Sequence, residues 1–255
     1  MTSENTVTPY SALAEIYDDV MSDVDYETWA DYIDEIILTH HPEAIRLLEL
    51  ACGTGTVALS LEELDHYEIT ATDISDSMIS VAKKKGIERS SSIQFRVMNF
   101  LKPDLKSLFD VIYMTFDSIN YLHENEQILQ LHRNVKDLMA PNGVFIYDFT
   151  TPKNSRKAIH YLNHENRTLT NGFQYTRSSS YNSRSRIHTN EFLIKKENKC
   201  NQADIYQEVH HQKIYTLNEI TALVAKTNFS ILKAYNSFTL DNATEKSLRV
   251  TMVLQ

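Results

Sequence analysis

Ile45-Arg46-Leu47-Leu48-Glu49-Leu50-Ala51-Cys52-Gly53-Thr54-Gly55-Thr56 reads as a short apolar strand, a glycine turn and the start of a helix that continues from Val57 to Leu64. Glycines in such a strand-to-helix turn permit a tight bend and a close approach of ligand to backbone. The pattern then repeats. Glu68 to Thr72 reads as a strand, Ser75 to Lys85 as a helix, Ile93 to Met98 and Phe109 to Thr115 as strands, and Asn125 to Met139 as a helix. The turn Pro141-Asn142-Gly143 leads into a fifth strand, Val144 to Phe149. Strands alternating with helices imply βαβ units, and right-handed crossovers make of them a doubly wound, mostly parallel sheet.

Working outward, the apolar residues from Pro9 to Leu38 recur at helical spacing, which predicts one or two amphipathic helices as an N-terminal cap over residues 1–40. Beyond Pro152 the texture becomes polar and rich in Ser, Asn, Arg and Tyr. There Phe173/Tyr175 and Phe192/Ile194 alternate with polar residues, as expected of antiparallel strands with one wet face. The α/β texture returns with a helix from Leu217 to Lys226 and two closing strands, Ser230 to Tyr235 and Leu248 to Val253. The expected division is a core of residues 1–150 and 216–255, with 151–215 inserted as an antiparallel accessory, substrate-binding platform. Within the insert, Arg177, Arg184 and Arg186 could recognise a carboxylate or phosphate, although the wet face is their expected place.

The chain has 255 residues, 42% of them hydrophobic and 23% charged, enough for a full buried core. A formal charge of −9 without a clustered basic face argues against nucleic acid as a partner. Lys83-Lys84-Lys85 is expected to be a solvated helix end. No apolar run reaches the roughly 18 residues that a membrane span needs, and no secretory leader pattern opens the chain, so a cytoplasmic protein is expected. Its two cysteines, Cys52 and Cys200, are expected as free thiols. No metal site is expected.

The acid at the end of the second strand, Asp73, follows Glu49 by 24 positions, close to the offset of about 20 residues at which a carboxylate meets ribose hydroxyls in nucleotide-binding α/β folds. With the glycine turn, it makes the chain resemble the class I S-adenosylmethionine-dependent methyltransferases over essentially its whole length. The resemblance implies a Rossmann-like seven-stranded sheet with its last strand antiparallel, and S-adenosylmethionine as cofactor with S-adenosylhomocysteine as product. It places Glu49 near the amino-acid tail of the cofactor and brings backbone at Ala51, Gly53 and Gly55 close to it; Ala51 stands where the family usually has a glycine. Asp73 would hold the ribose hydroxyls and Ile74 and Met78 would flank adenine. Asn99 replaces the family's acid at the adenine amino group, followed by Phe100, and Thr115 closes the cofactor set.

Within that class, Pro9 to Asp18, Phe116 to Tyr121 and Glu208 to Ile220 resemble the small-molecule branch that includes sugar-amine and glycine N-methyltransferase-like enzymes. This implies that Tyr10 and Tyr17, seven residues apart and so on one face of a helix, reach the cofactor. It also implies that Phe116, Asp117, Tyr121 and His211 contact a small-molecule methyl acceptor. The segment lacks the Asn/Asp-Pro-Pro-Tyr/Phe motif used on nucleic-acid bases. Candidate bases are Tyr17, His123, His210 and His211; on a strand His210 and His211 point to opposite faces. Thr216 and Glu219 have the spacing of a capping box. The reaction expected is methyl transfer to an amine or hydroxyl, by a monomer or homodimer with no membrane or nucleic-acid partner. A cofactor-binding protein without catalysis, a tRNA-modifying relative and a nicotinamide dehydrogenase remain as alternatives.

Overall fold

The computed structural model describes residues 4–197 and 203–255; Cys200 lies outside the described residues. In chain order the elements are β1 (Glu4–Thr6), a 3-10 turn (Leu13–Ile16), α1 (Tyr17–Val20), α2 (Tyr26–His40), β2 (Arg46–Leu50), α3 (Thr56–Glu62), β3 (Glu68–Asp73), α4 (Asp76–Glu88), β4 (Gln94–Val97), β5 (Phe109–Met114), a 3-10 turn (Ser118–Tyr121), α5 (Asn125–Leu138), β6 (Met139–Thr150), α6 (Pro152–Leu162), β7 (Glu165–Thr168), β8 (Phe173–Asn182), β9 (Ile187–Glu197), β10 (Ala203–Lys213), α7 (Leu217–Val224), β11 (Ile231–Asn236) and β12 (Arg249–Leu254).

Seven strands form a sheet in the order β11-β12-β6-β5-β2-β3-β4. β2 pairs in parallel with both β3 and β5, whereas β12 runs antiparallel to β6 and to β11. Along each central strand the side chains alternate between two apolar layers. Leu47, Val111, Tyr113, Val144 and Ile146 pack with α2, α3 and α4, while Leu48, Leu50, Ile112, Met114, Phe145 and Phe149 pack with α5 and α7. Both faces are therefore dry, which is why the strands read as continuous apolar runs. The chain winds from β2 outward to β4, then returns to β5 on the other side of β2. That reversal opens a crevice at the carboxyl ends of the strands, the usual ligand site of such sheets.

Helix starts carry the expected caps. Ser75 Oγ accepts the N–H of Met78 at α4, and at α7 the Thr216 hydroxyl and the Glu219 carboxylate each accept the other residue's backbone N–H.

A second sheet, β1-β10-β9-β8-β7, lies over the crevice. Its β7–β10 strands are antiparallel, and β1 joins from the N-terminus, parallel to β10. Leu13, Ile16 and Val20 fill the space beneath it with Phe173, Tyr175, Phe192 and Ile194.

The N-terminus differs from the expected helical cap. Residues 4–6 are a strand, Tyr10 is left-handed with φ 63°, and the long helix starts only at Tyr26. The reason is that the backbone N–H groups of Tyr10, Ala12 and Leu13 donate to the Glu208 carboxylate rather than into helical turns. Tyr10 and Tyr17 thus do not share a helical face. Their rings nevertheless meet edge to face, with centroids 6.0 Å apart. The expected turn at Pro141-Asn142-Gly143 lies inside β6 as a left-handed kink at Asn142. Helix α6, started by the Thr151 cap and Pro152, was not expected at all.

Candidate functional site

The glycine turn leaves β2 through three left-handed residues, Ala51 (φ 55°), Gly53 (φ 55°) and Gly55 (φ 74°). At Gly55 a methyl group would stand 2.5 Å from the Phe95 ring, so only glycine fits there; at Gly53 it would meet no atom within 4 Å, so the turn faces open space. Asp73 organises this turn: its Oδ2 accepts the Gly53 N–H at 2.9 Å and its Oδ1 accepts the Ser75 N–H at 2.8 Å. Burial raises its carboxyl above the ordinary value, with those N–H donors pulling the other way.

Glu49 is fully buried, and burial pushes its carboxyl up to about 8. Its Oε2 has no hydrogen-bond partner among the described residues. A buried carboxylate oxygen left unpaired beside an open left-handed turn suits a cationic ligand group. Ile74 is 62% exposed at the same rim, whereas Met78 is buried in the α4 face. Asn99 accepts the Leu101 N–H within its own loop, and Phe100 packs against the α5 layer. Thr115 is buried at the end of β5.

The N-terminal segment is tied across this rim. Ser75 Oγ donates to the Tyr10 carbonyl, Thr54 Oγ1 donates to Asp18, and Lys85 joins Asp18 and Thr56 at 2.7 and 2.6 Å.

Between this segment, the end of β5, α6 and the second sheet lies a cavity of about 670 Å³. Tyr10, Tyr17, Phe116, Asp117, Tyr121 and His210 all face it. Phe116 and Asp117 are both left-handed without being glycines, and such strain collects at functional positions. Asp117 is held from three sides: Arg249 pairs with it, Gln212 Nε2 donates to it at 2.5 Å, and its own N–H donates to Asp148. Burial pushes Asp148 up to about 6 against the pull of Arg249, which bridges both acids.

His210 joins a chain of hydrogen bonds. Its Nε2 lies 3.2 Å from Glu208 Oε2, its Nδ1 is 3.0 Å from the Tyr121 hydroxyl, and that hydroxyl is 2.6 Å from the Tyr10 hydroxyl. Burial works to raise Glu208, but His210 and the N–H groups of Leu13 and Tyr10 outweigh it and hold the carboxyl below its ordinary value. An ionised Glu208 only accepts, so in the neutral imidazole Nε2 carries the proton and Nδ1 accepts from Tyr121. Burial raises the Tyr10, Tyr17 and Tyr121 phenols, which stay neutral.

His123 and His211 are not part of this constellation. Strand alternation turns the exposed His211 outward to Thr189, and His123 Nε2–H donates to the His211 carbonyl at 2.9 Å outside the cavity. Arg177, expected on the wet face, lines the cavity instead; Arg186 pairs with Glu219 and Arg184 is exposed. Sequence reasoning missed Asn190, Gln212 and Arg249 as cavity residues, and Glu208 as the buried partner of His210. Asn190, Glu208 and Gln212 share the period-two face of β9 and β10 that also carries Phe192 and His210, and that face is the inner one.

Residues 47–143 match a family described as a methyltransferase domain. The chain is 24% identical over 247 residues to the protein YqeM of Bacillus subtilis (strain 168), named as a methyltransferase, covering 94% of each chain. An S-adenosylmethionine-dependent methyltransferase from Clostridium acetobutylicum ATCC 824 has a similar structure, with TM-score 0.78, 21% identity, and 96% and 98% of the two chains covered. The sugar N-methyltransferase KedS8 from Streptoalloteichus sp ATCC 53650 superimposes with TM-score 0.73 at 18% identity over 99% and 98%. No described helix is long and apolar enough to cross a membrane.

Proposed function

We propose that this chain, a Rossmann-like methyltransferase whose cofactor is S-adenosylmethionine, transfers the methyl group to an amine or hydroxyl of a small molecule held in the 670 Å³ cavity. The observation that carries the reading is the unpaired, buried Glu49 carboxylate oxygen beside the open turn at Gly53, which Asp73 holds in place. Glu49 suits the ammonium of the cofactor, the backbone at Ala51, Gly53 and Gly55 its tail, Asp73 its ribose hydroxyls, and Ile74 its adenine. Asn99 Oδ1 already accepts from Leu101, which leaves its NH2 group to donate to the adenine edge. S-adenosylmethionine supplies an electrophilic methyl, so the protein's task is alignment and exclusion of water.

The Tyr10 and Tyr17 segment closes over the glycine turn and walls the cavity, which excludes water from the junction. An acceptor amine or hydroxyl must lose a proton, and His210 Nδ1 is the atom poised to take it. The proton reaches Nδ1 through Tyr121, whose hydroxyl can accept from the acceptor or from Tyr10 as it donates to the imidazole. Glu208 is the positioning residue that keeps Nδ1 unprotonated. Asp117, clamped by Arg249 and Gln212, offers a fixed carboxylate at the cavity wall to orient the acceptor. The segment 151–215 and its sheet shape acceptor specificity.

The test is calorimetric titration with S-adenosylmethionine and S-adenosylhomocysteine, on the protein and on Asp73→Asn. Saturable binding, weakened about tenfold or more in the variant, is expected. Absence of binding to both compounds overturns the reading.

A further inference from the structure

Beside its apolar cluster, the inner face of the second sheet turns Arg177, His188, Asn190, His210 and Gln212 to the cavity, where a platform built only to cover a core would be apolar throughout. Cross-strand pairing sets Arg177 opposite Phe192 and Phe192 opposite Glu208, and in the next row Ser179 opposite Asn190 and Asn190 opposite His210. Arg177 and His210 are thus two strands and one row apart, about 12 Å between Cα atoms at ordinary sheet spacings. Both side chains face the cavity.

The Arg177 side chain is only 15% exposed. It lies 5.2 Å over the Phe192 ring, and its Nε donates to Asn190 Oδ1 at 3.2 Å. Its terminal N–H groups find no hydrogen-bond acceptor among the described residues. Glu165 Oε2, the carboxylate beside it, is 3.9 Å away, and Glu165 Oε1 already accepts from Tyr175 at 2.6 Å and pairs with Arg167 at 2.9 Å. Helix α6 packs on β8 and brings a second unmatched group to the same cavity, the buried Ser155 hydroxyl. Asn190 and Phe192 fix the guanidinium plane from one edge and one face, leaving its fork free. Burial lowers this guanidinium against its ordinary value, and Glu165 opposes that only in part.

We infer, on the basis of the proposed function, that the methyl acceptor is a small carboxylic acid whose carboxylate is taken by the free N–H fork of Arg177 with the Ser155 hydroxyl, while its amine or hydroxyl lies at the Tyr121–His210 end. A planar carboxylate matches a guanidinium fork with two parallel hydrogen bonds. The acids Glu165, Asp117 and Glu208 offset the cations Arg167, Arg177 and Arg249 in this neighbourhood, which favours a monoanion over a dianionic phosphate. The pair of anchors explains why the platform needs an arginine on its buried face.

The probes are short ω-amino carboxylic acids, the matching ω-amino amides and the matching aminoalkyl phosphates, titrated calorimetrically with and without S-adenosylhomocysteine. Acids are expected to bind about tenfold or more tightly than amides. That preference disappears in Arg177→Met and survives in part in Arg177→Lys, with S-adenosylhomocysteine affinity and thermal stability close to the parent's in Arg177→Lys. Equal binding of acids and amides, tighter binding of the phosphates, no acid binding at all, or an acid preference that persists in Arg177→Met overturns the inference. Loss of S-adenosylhomocysteine binding alone strikes the cofactor reading instead, because the comparison of acids with amides is also made without it.

Discussion

Replacing Glu208 by glutamine perturbs the carboxylate that ties the backbone of the N-terminal segment to the candidate base. The side chain is fully buried and accepts from four N–H groups: Ala12 and Leu13 N–H at 2.6 and 2.8 Å on Oε1, Tyr10 N–H at 2.7 Å and His210 Nε2–H at 3.2 Å on Oε2. Glutamine keeps its carbonyl for one pair but turns an NH2 group toward the two donors of the other. Two charge-assisted hydrogen bonds are lost, each worth about 1.5–3 kcal/mol, so the fold should weaken by roughly 3–6 kcal/mol. In a chain of this size that is a fall of about 10 °C in Tm. The amide also favours the opposite tautomer, with Nε2 accepting and Nδ1 protonated, which blocks proton acceptance from Tyr121. General-base contributions of this kind span about 10²–10⁴-fold in rate. Thermal unfolding followed by circular dichroism reads the first effect, and nitrogen NMR of the His210 ring reads the second. A Tm within about 2 °C of the parent, or an unchanged tautomer, refutes the assignment.

Glu49 makes stability depend on pH. Its carboxyl ionises near 4.5 in the unfolded chain and near 8 in the fold, so the native state holds the proton longer. Its contribution is therefore full below pH 4.5 and declines as pH rises toward 8, by on the order of 5 kcal/mol, and Glu49→Gln should flatten that slope in urea unfolding. S-adenosylhomocysteine, by placing a cation beside the ionised form, should release a proton on binding near neutral pH, seen as a dependence of binding heat on the buffer's ionisation enthalpy. Gly55→Ala should lower stability by about 2–4 kcal/mol through backbone strain and collision with Phe95, measured by urea unfolding. Gly53→Ala should cost only about 1 kcal/mol of stability while its methyl obstructs cofactor binding, measured by titration with S-adenosylhomocysteine.

Much of this protein is legible in its sequence because the signals are local. Apolar runs at Leu47–Leu50 and Val111–Met114, each followed by a turn, specify strands buried on both faces, and the glycine turn with Asp73 marks the crevice where they end. The Thr216–Glu219 cap is likewise written in four residues. What only the tertiary structure decided are the long-range partnerships. Glu208 captures backbone donors about 200 positions away and converts an expected helix into a left-handed turn at Tyr10. Arg249 reaches Asp117 across 132 positions, and Arg177 turns inward although its strand alternates like any half-wet one. Periodicity tells which residues share a face but not which face is covered. In the second sheet the covered face carries polar as well as apolar residues, because beneath it lies a cavity as well as a core.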